Sequence, residues 1–201
     1  MGNWFVFYVK TGSEQEACDF LNKVFDKKES VAFIPQIETI LRNSKSIIKC
    51  LKPMFPGYVF LDSTLDEAMI VNITYKYTRL LKCIYRILGK ENFTYMKIDN
   101  SEKKFLLQFL NDEYVTEESK GLIIGDKIYV TLGPLKGRES IIKKIDRHKR
   151  RAEIEIACFG ELRRINVSLE VVYWIIKREF VINRFISIYI FNIHGEIVIY
   201  S

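Results

Sequence analysis

Residues 4–9 run aromatic and β-branched without interruption, the pattern of a buried strand. Ser13 to Glu16 then has the S-x-x-E spacing of a capping box, and Ala17, Phe20, Leu21, Val24 and Phe25 recur three and four residues apart. That spacing predicts an amphipathic helix over 14–27. Its apolar stripe needs a sheet, and four runs rich in Ile, Val, Phe and Leu supply one, at 31–42, 46–52, 57–62 and 80–88. Between the last two, Thr64 to Glu67 repeats the capping-box spacing ahead of Ala68, Met69 and Asn72. Ser101 is placed to cap a third helix whose buried side is Phe105, Leu106, Phe109 and Leu110. The order β-α-β-β-β-α-β-α predicts an α+β N-terminal unit over 1–111, with helices packed on a mostly antiparallel sheet.

From 112 to 122 the apolar periodicity is lost and Asp112, Glu113, Glu117 and Glu118 make the chain acidic, so this stretch is expected to be a flexible linker. Beyond it, short alternating runs at 126–131, 139–144, 151–157 and 163–167 are separated by Gly133-Pro134, the turn 146–149 and Gly160. Strands at that spacing predict a small all-β barrel over 123–178. The tail, 179–201, is apolar but interrupted by Arg184 and a turn-like 192–196. It is too short and broken for a bilayer-spanning helix, and a β-hairpin fits it better. It is open whether that hairpin extends the barrel, mediates association or has no function.

Composition narrows the class. Of 201 residues, 48% are hydrophobic and 28% charged, enough to bury a core under a polar surface, which argues against disorder. The cysteines Cys18, Cys50, Cys83 and Cys158 form no C-x-x-C pair and the chain holds 2 histidines, which points to reduced thiols and to no metal centre. The start Met1-Gly2-Asn3-Trp4 lacks the basic and apolar regions of a secretory signal, so a cytoplasmic protein is expected.

Charge adds a candidate ligand. Lys136, Arg138, Lys143, Lys144, Arg147, Lys149, Arg150 and Arg151 oppose only Glu139 and Asp146 within 136–151, an excess of +6 that equals the net charge of the whole chain. Such density attracts polyanions, and in a cytoplasm that means chiefly nucleic acid. His148 lies in the same turn, and Arg163 and Arg164, near Phe159-Gly160, extend the set. Arginine adds bidentate geometry to charge, whereas lysine supplies mainly charge. No nucleophile setting surrounds His148, and Gly133-Pro-Leu-Lys-Gly137 lacks the Gly-Lys-Ser/Thr ending of a P-loop. Neither catalytic residues nor a cofactor are expected.

Two segments carry a family resemblance. Lys52-Pro53-Met54-Phe55-Pro56-Gly57-Tyr58-Val59-Phe60, after a first strand containing Trp4 and one helix, resembles the NusG N-terminal (NGN) domain of transcription elongation factors. Residues 125–130, Gly133-Pro134-Leu135-Lys136-Gly137 and 141–146 resemble the KOW motif that follows it, an SH3-like barrel. Within the family, 133–156 is most similar to the antiterminator LoaP branch, and Ser140, where a general KOW motif has glycine, marks that branch.

The resemblance implies that Trp4, Phe55 and Tyr58 form the depression that receives the clamp helices of RNA polymerase. It also implies that the KOW unit binds nascent hairpin RNA. Phe159 matches an aromatic that contacts ribosomal or termination-factor partners, and a buried barrel residue is an equal reading. Two other functions fit the same features: a KOW-bearing ribosome-associated RNA-binding protein and a housekeeping NusG elongation factor.

Overall fold

The computed structural model describes residues 2–43, 46–78, 84–87, 97–124, 126–173, 189–193 and 196–200. Strand β1, Asn3–Val9, is followed by helix α1, Glu14–Val24, and by β2, Ser30–Phe33, β3, Gln36–Asn43, β4, Ser46–Pro53, and β5, Tyr58–Ser63. Helix α2, Glu67–Thr78, β6, Ile84–Ile87, and α3, Asn100–Leu107, complete the α+β N-terminal half. Its four-stranded sheet has the order β2-β5-β1-β6, and every pairing is antiparallel. Strand β1 is buried on both faces, which is why its sequence shows no polar alternation. Phe5, Phe7 and Val9 pack with Ala17, Cys18 and Leu21 of α1 and Ile70 of α2. Trp4 and Val6 belong to a second cluster with Phe33, Phe60 and, from α3, Leu106.

The expected run 31–42 is two strands in two sheets. Pro35 separates them and lacks an N–H for a ladder; β2 joins the central sheet, and β3 pairs with β4 over Gln36 to Asn43. Helix starts also differ from the capping-box reading. The Asp66 carboxylate, not Thr64, caps α2 by accepting from the Met69 N–H at 2.8 Å, while the Thr64 hydroxyl donates to the Glu29 carbonyl. Helix α3 starts before Ser101, with Asp99 as its N-cap. Ser13 stands at the N-cap of α1 without a side-chain bond.

The acidic segment expected as a linker carries regular structure. Strand β7, Val115–Thr116, pairs parallel with β3, and β8, Ser119–Ile124, pairs antiparallel with β9, Lys127–Leu132. A 3-10 turn at Glu139–Ile141 then leads into β10, Ile142–Asp146, β11, Arg151–Cys158, and β12, Glu161–Tyr173. These strands form a five-stranded half-barrel sheet of order β10-β11-β12-β8-β9, the β-rich C-terminal half that the sequence predicts. Strands β13, Tyr189–Ile193, and β14, Glu196–Tyr200, pair antiparallel as a separate two-stranded sheet. Among the described residues no helix is long and apolar enough to cross a membrane.

Glu14 fixes the bend ahead of β5. Its buried carboxylate accepts from the Gly57 N–H at 2.7 Å and the Gly12 N–H at 2.8 Å, tying the start of α1 to the loop between β4 and β5. Gly57 has φ +84, and a Cβ there would meet the Val9 carbonyl at 3.3 Å, so both backbone angle and space require glycine. Glu14→Ala leaves two amides without their acceptor, and the expected cost is about 2–3 kcal/mol in urea denaturation. An unchanged midpoint would mean that water replaces the carboxylate.

Candidate functional site

Pro56 and Gly57 turn the chain sharply between β4 and β5, and the turn sets Phe55 and Tyr58 side by side. In this conformation neither forms an open depression. Phe55 is only 3% exposed and Tyr58 is half-buried. The group that covers them is Phe159, at the tip of the β11–β12 hairpin. Its ring stacks on Tyr58 at 5.1 Å and 19°, meets Phe55 edge-on at 5.2 Å and lies 5.9 Å from Phe60. Phe159 is therefore buried, but against the N-terminal half rather than inside the barrel.

Local geometry explains how the tip reaches so far. Cys158 pairs with Glu161, leaving a two-residue loop in which Phe159 has φ +62 and Gly160 φ +73. Positive φ at both positions is the requirement of a type I′ hairpin turn. Glycine meets it freely, whereas a phenylalanine there is strained by about 1–2 kcal/mol and needs contacts that hold it. The aromatic cluster provides them, and the Gly160 N–H donates to Glu102 of α3 at 3.2 Å.

Trp4 lies in the same buried cluster as Phe55 and Phe60. It is 1% exposed, with its ring 5.0 Å from Phe33 and 5.9 Å from Phe60 and its Nε1–H donating to Asp62 at 2.9 Å. The ammonium of Lys103 lies 4.9 Å from the ring centroid and donates to the Gly2 carbonyl at 2.6 Å. Trp4 thus supports the aromatic bend from beneath and presents almost no surface of its own.

A polar seam runs beside the aromatic contact. The Ser168 hydroxyl of β12 donates to the Glu38 carbonyl of β3, and the Glu118 N–H donates to the Glu38 carboxylate at 3.1 Å. Arg150 bridges Glu118 at 3.0 Å and Glu170 at 2.8 Å, and Lys49 lies 2.6 Å from Glu38. Burial pushes the Glu118 carboxyl above the usual range, against the pull of Arg150, whereas the bond from Lys49 holds Glu38 below it. Ionised Glu118 therefore costs stability near neutrality, a cost that disappears as the pH falls through its raised pKa. Glu38 contributes stability above its ordinary pKa and loses it only as the pH falls through the lowered one.

The basic residues divide into two groups. Arg138 and Arg163 reach the N-terminal half, whereas Arg150 pairs with Glu118 just before β8 and Glu170 of β12. Arg138 donates to Gln108 at 2.9 Å from one guanidinium nitrogen and to the Pro134 carbonyl at 3.0 Å from another. Arg163 lies 4.7 Å from the Phe159 ring and 5.2 Å from that of Tyr58, donates to the Tyr58 hydroxyl at 3.3 Å and pairs with Glu161 at 2.5 Å. Its Nε is buried without a hydrogen-bond partner.

Lys136, Lys143, Lys144, Arg147, His148, Lys149 and Arg164 are exposed and Arg151 is half-buried. Carboxylates compensate part of this second group: Lys143 lies 3.3 Å from Glu155, Arg164 is 3.3 Å from Glu155 and 3.6 Å from Glu153, and Lys149 is 3.8 Å from Asp146. The most cationic exposed element is the turn of Arg147, His148 and Lys149, with Lys144 on the strand before it. Of the acidic partners, Glu38 on β3 and Glu170 on β12 carry no signal in the sequence that marks them as partners of these cations. Glu118 alone lies in the acidic stretch 112–118, whose charge also suits a solvated linker.

Nothing in this arrangement resembles a nucleophilic centre. Burial pushes the Cys18 thiol up to about 11 and the Cys158 thiol up to about 12, so neither is a thiolate near neutrality. Among the described residues no group of three or more His, Cys, Asp or Glu is placed to hold a metal ion.

A buried aromatic bend in an α+β half is thus joined to a half-barrel that carries an exposed basic turn. Residues 2–106 match the family model described as transcription termination factor NusG, and the chain belongs to that family of transcription factors, whose members bind RNA polymerase. Among solved structures it is similar to one titled "Domain interaction in Thermotoga maritima NusG", with 18% identity, a TM-score of 0.48, and coverage of 84% of this chain and 93% of that one. No curated protein matches the chain.

Phe159→Gly suits the left-handed turn and removes only the ring. The expected outcome is separation of the two halves, seen as a larger radius of gyration in small-angle scattering and faster amide exchange at Val115 and Thr116. Wild-type values for both would mean that the polar seam alone holds the halves together.

Proposed function

We propose that this chain is a processive antitermination factor of the LoaP-like kind. Its N-terminal unit, 1–111, rides on RNA polymerase, and its KOW unit, 123–178, captures structured nascent RNA in the cytoplasm. The segment 112–122 is the hinge between them. The observation that carries this reading is the division of the two surfaces: the aromatic bend is capped by one strained hairpin tip, while the cationic turn stands exposed. The described form is then a closed one. Polymerase docking needs Phe159 to leave, after which Phe55 and Tyr58 form an aromatic groove for the clamp helices, with Trp4 as its support. No covalent chemistry takes part. A role on ribosomal RNA without polymerase, or as a housekeeping elongation factor, is the alternative that the measurements below separate.

Polymerase titration tests the docking surface. Phe159→Gly is expected to bind bacterial core RNA polymerase more tightly than wild type. Adding Tyr58→Ala to that variant is expected to weaken binding by about 2 kcal/mol or more, the usual cost of truncating a central aromatic anchor. Equal affinity with and without the Tyr58 ring would remove this surface from the reading.

RNA binding is expected to fall steeply with salt. About four phosphate contacts by Lys144, Arg147, Lys149 and Arg151 would give a log–log slope near −3. Replacing Arg147 and Arg151 by lysine keeps the charge, so the slope should persist while preference for a folded hairpin over its scrambled sequence erodes. A variant that keeps full hairpin preference would place recognition elsewhere.

A further inference from the structure

We infer that the cleft between β3 and β12 binds a nucleoside triphosphate and that the bound ligand holds the two halves closed. Over Glu161–Ser168 strand β12 has a ladder partner on one side only, β11, and β8 takes its other side from Leu169 onward. Strand β3 pairs with β4 throughout but with β7 only at Gln36 and Ile37. The two strands meet where the Ser168 hydroxyl donates to the Glu38 carbonyl, and beside that contact lies a cleft of about 500 Å³. Ile37, Thr39 and Lys52 line it from the N-terminal half, and Arg163, Arg164 and Asn166 from the barrel. Alternation along β3 sends Glu38 and Ile40 to a different cleft, so the acidic seam does not enter this one.

The lining selects the chemistry. Its charged members are Lys52, Arg163 and Arg164 against Glu161, so it favours an anion. Glu161 and the β11 carboxylates engage Arg163 and Arg164, whereas Lys52 is exposed and makes no ion pair among the described residues. Thr39 is 7% exposed, and neither its hydroxyl nor the Asn166 amide has a hydrogen-bond partner among the described residues. Cations alone would suit any anion; a hydroxyl, an amide and an apolar wall at Ile37 add what holds a flat, hydrogen-bonding ring. A phosphate chain that carries a base has both parts, and the volume lies within the range of about 300–1,000 Å³ usual for small-ligand sites. A site built from both halves exists only while they are together, so its ligand binds the closed form and stabilises it by mass action. By reciprocity the ligand and polymerase exclude each other, a step that rests on the reading that docking needs Phe159 to leave the bend.

Calorimetric titration of the full chain with ATP, GTP and inorganic tripolyphosphate tests the site, and at least one nucleotide is expected to bind more tightly than tripolyphosphate. Thr39→Val keeps the shape of the side chain and every charge, so attraction to the exposed basic turn is unchanged. Its expected effect is a loss of about fivefold, the size of one hydrogen bond. Lys52→Gln is expected to cost about tenfold or more, because it removes a charged donor. Phe159→Gly, which parts the halves without touching the six lining residues named above, is expected to abolish nucleotide binding. In wild type, nucleotide at about ten times its own Kd is expected to weaken binding of bacterial core RNA polymerase about tenfold. Undetectable binding of both nucleotides, equal binding of tripolyphosphate, or full affinity in Thr39→Val and Lys52→Gln overturns the site. Retained binding in Phe159→Gly with its halves parted overturns the lock. If nucleotide binding depends on Thr39, Lys52 and Phe159 as expected but polymerase affinity does not move, the cleft stands as a ligand site and the reading that polymerase displaces the barrel falls.

Discussion

A phenylalanine ring held in a left-handed turn and pressed onto Tyr58 is the constraint on which the arrangement of the two halves depends. Three non-glycine residues have positive φ among the described residues, Tyr114, Arg150 and Phe159, and two of them, Tyr114 and Phe159, pack on aromatic rings of the N-terminal half. Tyr114 stacks on Phe33 at 3.7 Å as the chain crosses over, Arg150 bridges the polar seam, and Phe159 covers the bend. Each left-handed conformation costs about 1–2 kcal/mol, and each is opposed by the contacts of its own side chain. Burying one phenylalanine contributes about 1.5–3 kcal/mol. Strain and burial are thus of similar size at Phe159 itself, so the contacts of the surrounding rings are what hold the tip in place.

The two halves of the junction divide the work. Aromatic contact is weakly directional and supplies most of the attraction, whereas the seam of Arg150, Glu118, Glu170, Glu38 and Ser168 fixes where β12 sits along β3. Buried ion pairs add little net stability because desolvation offsets attraction, but removing one partner is costly. The seam therefore contributes alignment and sensitivity to its cation rather than strength. Carboxylates and an amide also explain why the excess of +6 within 136–151 overstates the surface available to a polyanion: Arg138 is engaged by Gln108, Arg150 by Glu118 and Glu170, and Lys143 and Lys149 by Glu155 and Asp146.

Local patterns in the sequence carried most of the secondary structure. The unbroken apolar run of β1, the three- and four-residue spacing of α1 and the Pro56-Gly57 bend each follow from residues close together in the chain. The failures share a cause, dependence on distant partners. Val115 and Thr116 are too few to read as a strand, and they are one because β3 offers a free edge beside them. Glu118 reads as a linker charge and is a seam residue because Arg150, 32 positions away, reaches it. Trp4 reads by resemblance as part of an aromatic depression, and only the ladder from Asn3 to Tyr8 along β5 shows that its ring packs on Phe33 and Phe60. Arg163 reads as one more cation beside a glycine, and only the β11–β12 register sets it over the ring of Tyr58.

That last placement bears on how the closed form is kept specific. An arginine over two aromatic rings is held by cation–π attraction, worth about 0.5–1 kcal/mol at exposed sites and more when desolvated. Arg163 makes that contact with Phe159 from its own half and Tyr58 from the other, so it stiffens the hairpin tip and grips the target surface with one group. Its buried, unpartnered Nε is the corresponding cost, a donor withdrawn from water without an acceptor. Opening returns that donor to water, relaxes Phe159 and hydrates Glu118 together. The terms that favour release are therefore concentrated in Arg163 and Phe159 of the barrel and Glu118 of the segment before it, and those that favour closure lie in the apolar area which the bend and the tip bury against each other. A partner able to cover the same area of the bend would replace the second set while leaving the first relieved, so exchange of the barrel for a partner needs no contact stronger than the one it displaces.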